Sequence, residues 1–149
     1  MSHARVRGLL NKELGAYATL KSYVPKWDNV VAKPTDSVVL EAHLIPTLVG
    51  SASLSGDLEE FFGIYQITVV TKFGSGDGTS DTIISELHKI FKANTVFTAV
   101  DGFCVQVTTP LNPVEGRTDG SGFWRVPCWF EYRAETFTKD KLASPNTIN

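Results

Sequence analysis

Three features of this chain lead to an α+β fold. The expected arrangement has two layers, a mostly antiparallel sheet of about four strands with two helices packed on one face, in the order α-β-β-α-β-β. Residues 61–92 read as strand, glycine-rich loop and amphipathic helix in direct succession. Apolar and polar residues alternate over 38–45, 103–109 and 123–133, the period of a half-buried strand. The N-terminal segment repeats its apolar residues at helical spacing. Elements that each carry one apolar side must bury it against one another, which gives layers.

In chain order, Ser2 suits a helix N-cap, and Val6, Leu9, Leu10, Leu14 and Tyr17 follow on one face, predicting a helix over about residues 3–19. Gly8 and Gly15 weaken it by roughly 0.5–1 kcal/mol each relative to alanine, unless one of them admits a close neighbour. Residues 20–37, broken by Pro25 and Pro34, read as irregular, with Trp27 as a core or edge anchor. Over 38–45, Val38, Leu40, Ala42 and Leu44 share one face, Glu41 and His43 point the other way, and Pro46 is expected to end the strand. Residues 48–57 are small and polar enough for a mobile connection, with continuation of the strand into them as the alternative.

Residues 61–71 are rich in β-branched and aromatic side chains, as a strand requires. Gly74, Gly76 and Gly78 follow, and then a helix opened by Thr79, Ser80 and Asp81, with Ile83, Ile84, Leu87, Ile90 and Phe91 on one face. Asn94 is its expected stop. Residues 103–109 form a strand, and 110–122 a long loop of prolines and glycines. In the last strand Trp124, Val126, Cys128, Phe130 and Tyr132 share the apolar face, and Pro127 implies an edge position or a bulge. Residues 1–136 then make a single domain and 137–149 a loose C-terminal tail. The predicted core is Leu10, Leu14, Ile67, Val69, Leu87, Ile90, Phe91, Val105, Val126 and Phe130.

A formal net charge of -2 argues against a dedicated nucleic-acid binder, which usually carries a strongly basic face. No apolar run approaches the roughly 18 residues of a membrane span, and the first residues do not read as a secretory leader. Cys104 and Cys128 are too few for a disulfide scaffold and read as free, buried thiols. Cys128 shares the apolar face of its strand, whereas Cys104 alternates against Phe103 and Val105, so the two are not expected to meet.

The Gly74–Gly78 loop between strand and helix resembles a phosphate cradle. A P-loop needs a lysine before its Ser/Thr, and Gly78 stands there before Thr79. The glycine spacing is wrong for a dinucleotide fingerprint, and Asp77 and Asp81 would repel phosphate. A nucleotide-binding domain is therefore the remote alternative to a plain turn and N-cap. Glu41 and His43 lack a third metal ligand, and neither a nucleophile elbow nor a Cys–His pairing is visible. No catalytic residue, metal or cofactor is expected.

The order and spacing of several motifs resemble the tail terminator family of long-tailed bacteriophages, in the branch related to the lambda minor tail protein U. The resemblance rests on the N-terminal helix, Trp27-Asp28-Asn29 followed by Pro34, and the strand closing on Leu44-Ile45-Pro46. It continues through Gly63-Ile64-Tyr65-Gln66-Ile67-Thr68-Val69 into Gly74, Gly76 and Gly78, a helix ending at Ile90-Phe91, and Trp124-Arg125-Val126-Pro127-Cys128. It spans roughly residues 4–135. It implies a structural protein without catalysis or cofactor. Such a protein is made in the host cytoplasm and sits at the head-proximal end of the virion tail. There it adds to the finished tube as a homo-oligomeric, six-fold ring, stops polymerisation of the major tail tube protein and presents a surface to a head-completion or connector protein. DNA only passes through the lumen, and no membrane is involved. Another neck, head–tail connector or tail-completion protein is the runner-up.

Assembly contacts are expected in two loops, with Phe73, Gly74, Gly76, Asp77 and Gly78 in the first and Leu111, Val114, Glu115, Arg117 and Asp119 in the second. The second is long for a hairpin connection, which needs two to five residues. It has little to bury except Leu111 and Val114, so it is expected to be mobile in the free subunit and to order against a neighbour. Shortening 111–121 to Asn-Gly should then leave the melting temperature nearly unchanged while abolishing tail termination. The second sheet face, with Gln66, Thr68, Gln106, Thr108, Arg125 and Glu131, is polar enough to be a further assembly surface.

Overall fold

The computed structural model describes residues 2–28, 38–51, 58–72, 74, 77–118, 120 and 122–137. In chain order they form α1 (Ser2–Lys21), β1 (Val24–Lys26), β2 (Val39–Ser51), β3 (Leu58–Lys72), α2 (Asp77–Ile90), β4 (Val96–Thr98), β5 (Cys104–Val107), β6 (Asn112–Pro113), β7 (Arg117–Thr118) and β8 (Phe123–Phe137). The expected two-layer sheet of about four strands with helices on one face is not what this chain builds. Half of the described structure is strand, in a single sheet of eight strands, six of which follow the order β1-β2-β3-β8-β5-β4 and curl into a half-barrel. The small strands β6 and β7 add to β8 off that path.

Strand length is the reason. β3 and β8 pair along 15 residues, from Leu58 opposite Phe137 to Lys72 opposite Phe123. Long strands accumulate the right-handed twist of every residue, and a twisted sheet of this size curls. β2 and β3, with β8 alongside β3, continue as an antiparallel arm past residues 38–45 and 61–71, as far as Ser51 opposite Glu59. Pro46 does not end β2. The register shifts between Pro46 and Leu48, a bulge of the kind that accommodates a proline in a strand. Of the two readings of 48–57, the continued strand holds as far as Ser51, and residues 52–57 lie outside the described set.

Pro127 is likewise neither on an edge nor at a bulge, because β8 is paired on both sides and its register with β3 runs unbroken through Thr68 opposite Pro127. The carbonyl of Pro127 accepts from the Val114 N–H at 2.8 Å, on the side away from β3. In an antiparallel strand the N and O of one residue face the same neighbour, so the missing proline N–H deprives β3 of nothing.

The core follows the predicted faces. Leu10 and Leu14 from α1, Ile83, Leu87 and Phe91 from the α2 region, and Tyr65, Ile67, Val69, Val105, Cys128 and Phe130 from the sheet form one buried cluster. Of the predicted core residues, Ile90 is half-buried and packs against that cluster, and Val126 is buried but outside it. Phe91 stacks on Phe130, with ring centroids 5.1 Å apart. Trp27 is half-buried against the core and lies 3.6 Å from where a Gly15 side chain would begin. β1 pairs parallel to β2 through Val24–Lys26, inside a stretch that read as irregular, since its three residues are too few to show a period. Asn94 stands in a turn with φ of 70°, after a helix that ends at Ile90.

Cys128 is buried and Cys104 exposed, and both are free thiols, as alternation requires. The expectation that both would be buried fails for Cys104, which sits near the sheet's outer edge opposite Thr98 on β4. The loose tail expected at 137–149 lies outside the described residues, apart from Phe137 at the end of β8.

Candidate assembly interface

The helix α2 and the chain between β5 and β8 stand side by side over the start of β8. Between them runs an open groove of about 690 Å³. The helix contributes Ser80, Ile84 and His88, which recur at the i, i+4, i+8 spacing of one helical stripe, together with Asp81, Ser85 and Lys89 beside them. The opposite wall is 111–116, and the floor is Trp124 and Val126.

The opposite wall is built, not loose. β6 pairs with Trp129 and Cys128, and β7 pairs with Arg125 and Trp124. A central strand such as β8 would otherwise expose a row of backbone donors and acceptors, and these two short strands satisfy part of it. Leu111 is 4% exposed and belongs to the core cluster, and a side chain on Gly116 would meet the Trp124 indole at 2.6 Å. The loop expected to be mobile is therefore held to the sheet by pairing and burial, and its removal would open the core.

The structure divides the sequence-derived interface residues. Val114 and Glu115 are exposed on the groove rim. Leu111 reaches the groove from the buried side. Gly78 is exposed in the first turn of α2, and Gly74 stands in the preceding turn with φ of 93°, a left-handed conformation that favours glycine. Arg117 is exposed in β7, outside the groove lining. Phe73, Gly76 and Asp119 lie outside the described residues, as does the side chain of Asp77. Sequence reasoning missed Ser80, Ser85, His88, Lys89 and the floor residue Trp124. The i, i+4 repeat of Ser80, Ile84 and His88 was a visible signal, but what faces that stripe depends on the fold.

Ser80 is 1% exposed, and its hydroxyl has no hydrogen-bond partner among the described residues. On its other side α2 is tied to α1. The Tyr17 hydroxyl donates to Glu86 at 2.5 Å, and the Lys21 amine lies 3.1 Å from the same carboxylate. The Tyr17 hydrogen bond, and then Lys21, hold the Glu86 carboxyl below its ordinary range.

The outer sheet face is polar at its β1 end, as expected, through a connected set of charges. Arg125 donates to the buried Glu41 at 2.8 Å, and His43 lies 2.6 Å from Asp28, whose other oxygen accepts from the Leu44 N–H at 3.0 Å. Towards the arm the same face becomes apolar. Ile45 lies opposite Ile64, and Leu48 opposite Phe62. Ile45 and Leu48 are 43% and 58% exposed on this face, whereas Val49, opposite Phe61, alternates to the other face and is 50% exposed.

A family model described as phage tail terminator protein matches residues 5–132. Among solved structures, a protein designated only by a sequence identifier superposes with a TM-score of 0.75 at 26% identity, over 92% of this chain and 98% of that one. Comparison with curated proteins gives no match.

Proposed function

This chain belongs to the phage tail terminator family, and we propose that it caps the head-proximal end of the tail tube as a homo-oligomeric ring, with six copies as the working number. It is a structural component of the virion tail. In the proposed role the ring ends polymerisation of the tube protein and offers its other side to a head-completion protein, while DNA passes through the lumen. The work is done by surfaces rather than by chemistry.

The family match over residues 5–132 is the observation that carries this reading. Its physical support is a pair of features an assembly subunit needs: a built groove between α2 and the 111–116 wall, and the exposed apolar pair Ile45 and Leu48 on the outer sheet face. A near-neutral subunit of net charge -2 also suits a ring that must let DNA slide through without holding it.

The test is a phage lacking this protein. Overlong tails that fail to join heads, restored to normal length by the wild-type chain supplied in trans, are the expected result. Tails of normal length without the protein would refute the reading.

A further inference from the structure

We propose that His3 is an acid-sensitive latch: the neutral imidazole holds the first turn of α1 on β3 and β8, and its protonation in weak acid lets that turn go. The latch lies apart from the groove and does not depend on the terminator reading.

Three elements build it. Tyr132 of β8 lies opposite Gly63 of β3, and its ring passes through the space that a side chain there would fill. Its hydroxyl is thereby brought to the start of α1, where His3 Nδ1 lies 3.0 Å from it. The His3 ring also meets the Phe61 ring of β3 in a T-shaped contact, with centroids 5.1 Å apart. Tyr132 and Phe61 are 1% and 5% exposed. One side chain of α1 thus closes over two buried aromatic rings.

The contact depends on the proton. Burial pushes the Tyr132 phenol up to about 12, so the hydroxyl keeps its hydrogen. A neutral imidazole protonated at Nε2 accepts that hydrogen at Nδ1. An imidazolium carries a hydrogen on both nitrogens and accepts nothing, so the hydroxyl must turn its own hydrogen away.

The surroundings also resist a cation. Arg7 stands one turn further along α1, with its Nε buried and without a hydrogen-bond partner among the described residues. The start of a helix is the positive end of its dipole, and the first turn of α1 holds no acidic residue to offset it. On this face β3 offers one carboxylate, Glu59, two residues before Phe61. Asp101, beyond β4, is engaged by Arg5. Burial first, and Arg7 second, hold His3 below its ordinary 6.5. The stabilisation is therefore complete above 6.5 and is lost as pH falls from there through the lower folded-state value, because the unfolded chain takes the proton first.

The experiment compares the isolated full chain with His3→Gln, whose amide is uncharged at every pH and can still accept from Tyr132. His43 and His88 are present in both proteins, so the difference isolates His3. Hydrogen exchange is followed at the amides of Val6 to Leu10 and corrected for the intrinsic rate. Protection that falls between pH 7.5 and pH 5 in wild type, and stays constant in His3→Gln, is the expected result. An equal fall in both proteins, or none in wild type, overturns the latch. The His3 ring, titrated by NMR, gives a second readout that stands even if His3→Gln does not fold. Its midpoint should lie below 6.5 and move up in Arg7→Gln. A wild-type midpoint at or above 6.5, or one that Arg7→Gln leaves unmoved, overturns the latch.

Discussion

Gly116 lies against the indole of Trp124 so closely that one added methyl group would come within 2.6 Å of the ring. The contact seals one wall of the groove. A bicyclic ring has no soft torsion with which to yield, so a side chain at position 116 must lift the wall. Gly116→Ala should cost about 1–3 kcal/mol, the usual range for overpacking. A chemical-denaturation midpoint equal to that of wild type would show that the wall moves at no cost.

Leu111 and Val114 stand three residues apart with opposite expectations. Leu111 is 4% exposed in the core, and Leu111→Ala should lose about 2–5 kcal/mol. Val114 is 46% exposed on the rim, and Val114→Ala should change stability by no more than about 0.5 kcal/mol. Replacing 111–121 by Asn-Gly should behave like Leu111→Ala or worse. Unfolding curves of the three variants check the order.

Gly63 sits beneath the Tyr132 ring. A side chain there would lie 2.6 Å from the ring carbon that bears the hydroxyl and 2.7 Å from the Ile45 carbonyl. The backbone obstacle has no room to move between two ladders. Gly63→Ala should therefore be strongly destabilising, and Tyr132→Phe should not rescue it, because the ring remains. Tyr132→Phe alone removes the 3.0 Å contact with His3, which should cost about 0.5–1.5 kcal/mol. Recovery of the Gly63→Ala variant by Tyr132→Phe in thermal melts would contradict this geometry.

The two cysteines should separate by reactivity. Burial pushes the Cys128 thiol up to about 12, so it is protonated as well as covered, while Cys104 is exposed. A thiol-specific chromogenic reagent at pH 8 should modify Cys104 alone in the native protein and Cys128 only after unfolding. Equal rates in the native state would place Cys128 at the surface.

Glu86 gives a pH signature. Its carboxyl is held below the ordinary 4.5, first by the Tyr17 hydroxyl. The stabilisation is complete above the unfolded-state value and is lost as pH falls through the lower folded-state value. Wild type should therefore melt higher than Glu86→Gln at pH 7, and the gap should close as pH drops below 4.5. A gap that stays constant down to pH 3 would mean that the charge on Glu86 contributes nothing.

Much of this molecule was legible locally. The helical stripes of α1 and α2, the alternation of Leu40, Ala42 and Leu44, and the apolar face from Val126 to Tyr132 all occupy the sides that their periods assign. The separation of Cys104 from Cys128 followed from the same period of two. The family was legible as well, because motif order and spacing belong to the chain itself. Of the residues lining the groove, Val114, Glu115 and Leu111 were among those expected to make assembly contacts, and Leu111 is buried while the other two are exposed.

The amino-acid sequence by itself determined which side of each element is apolar, where the two helices lie and which family the chain joins. Only the tertiary structure decided that six strands of the sheet curl into a half-barrel, that Pro46 and Pro127 are carried inside strands, and that α2 faces the 111–116 wall. Side-chain periodicity is written in consecutive residues, and a two-residue strand such as β6 or β7 has none to show. Its pairing is created by the open edge of β8, more than ten residues away along the chain for Asn112 and its partner Trp129, where backbone groups must find partners once water is excluded.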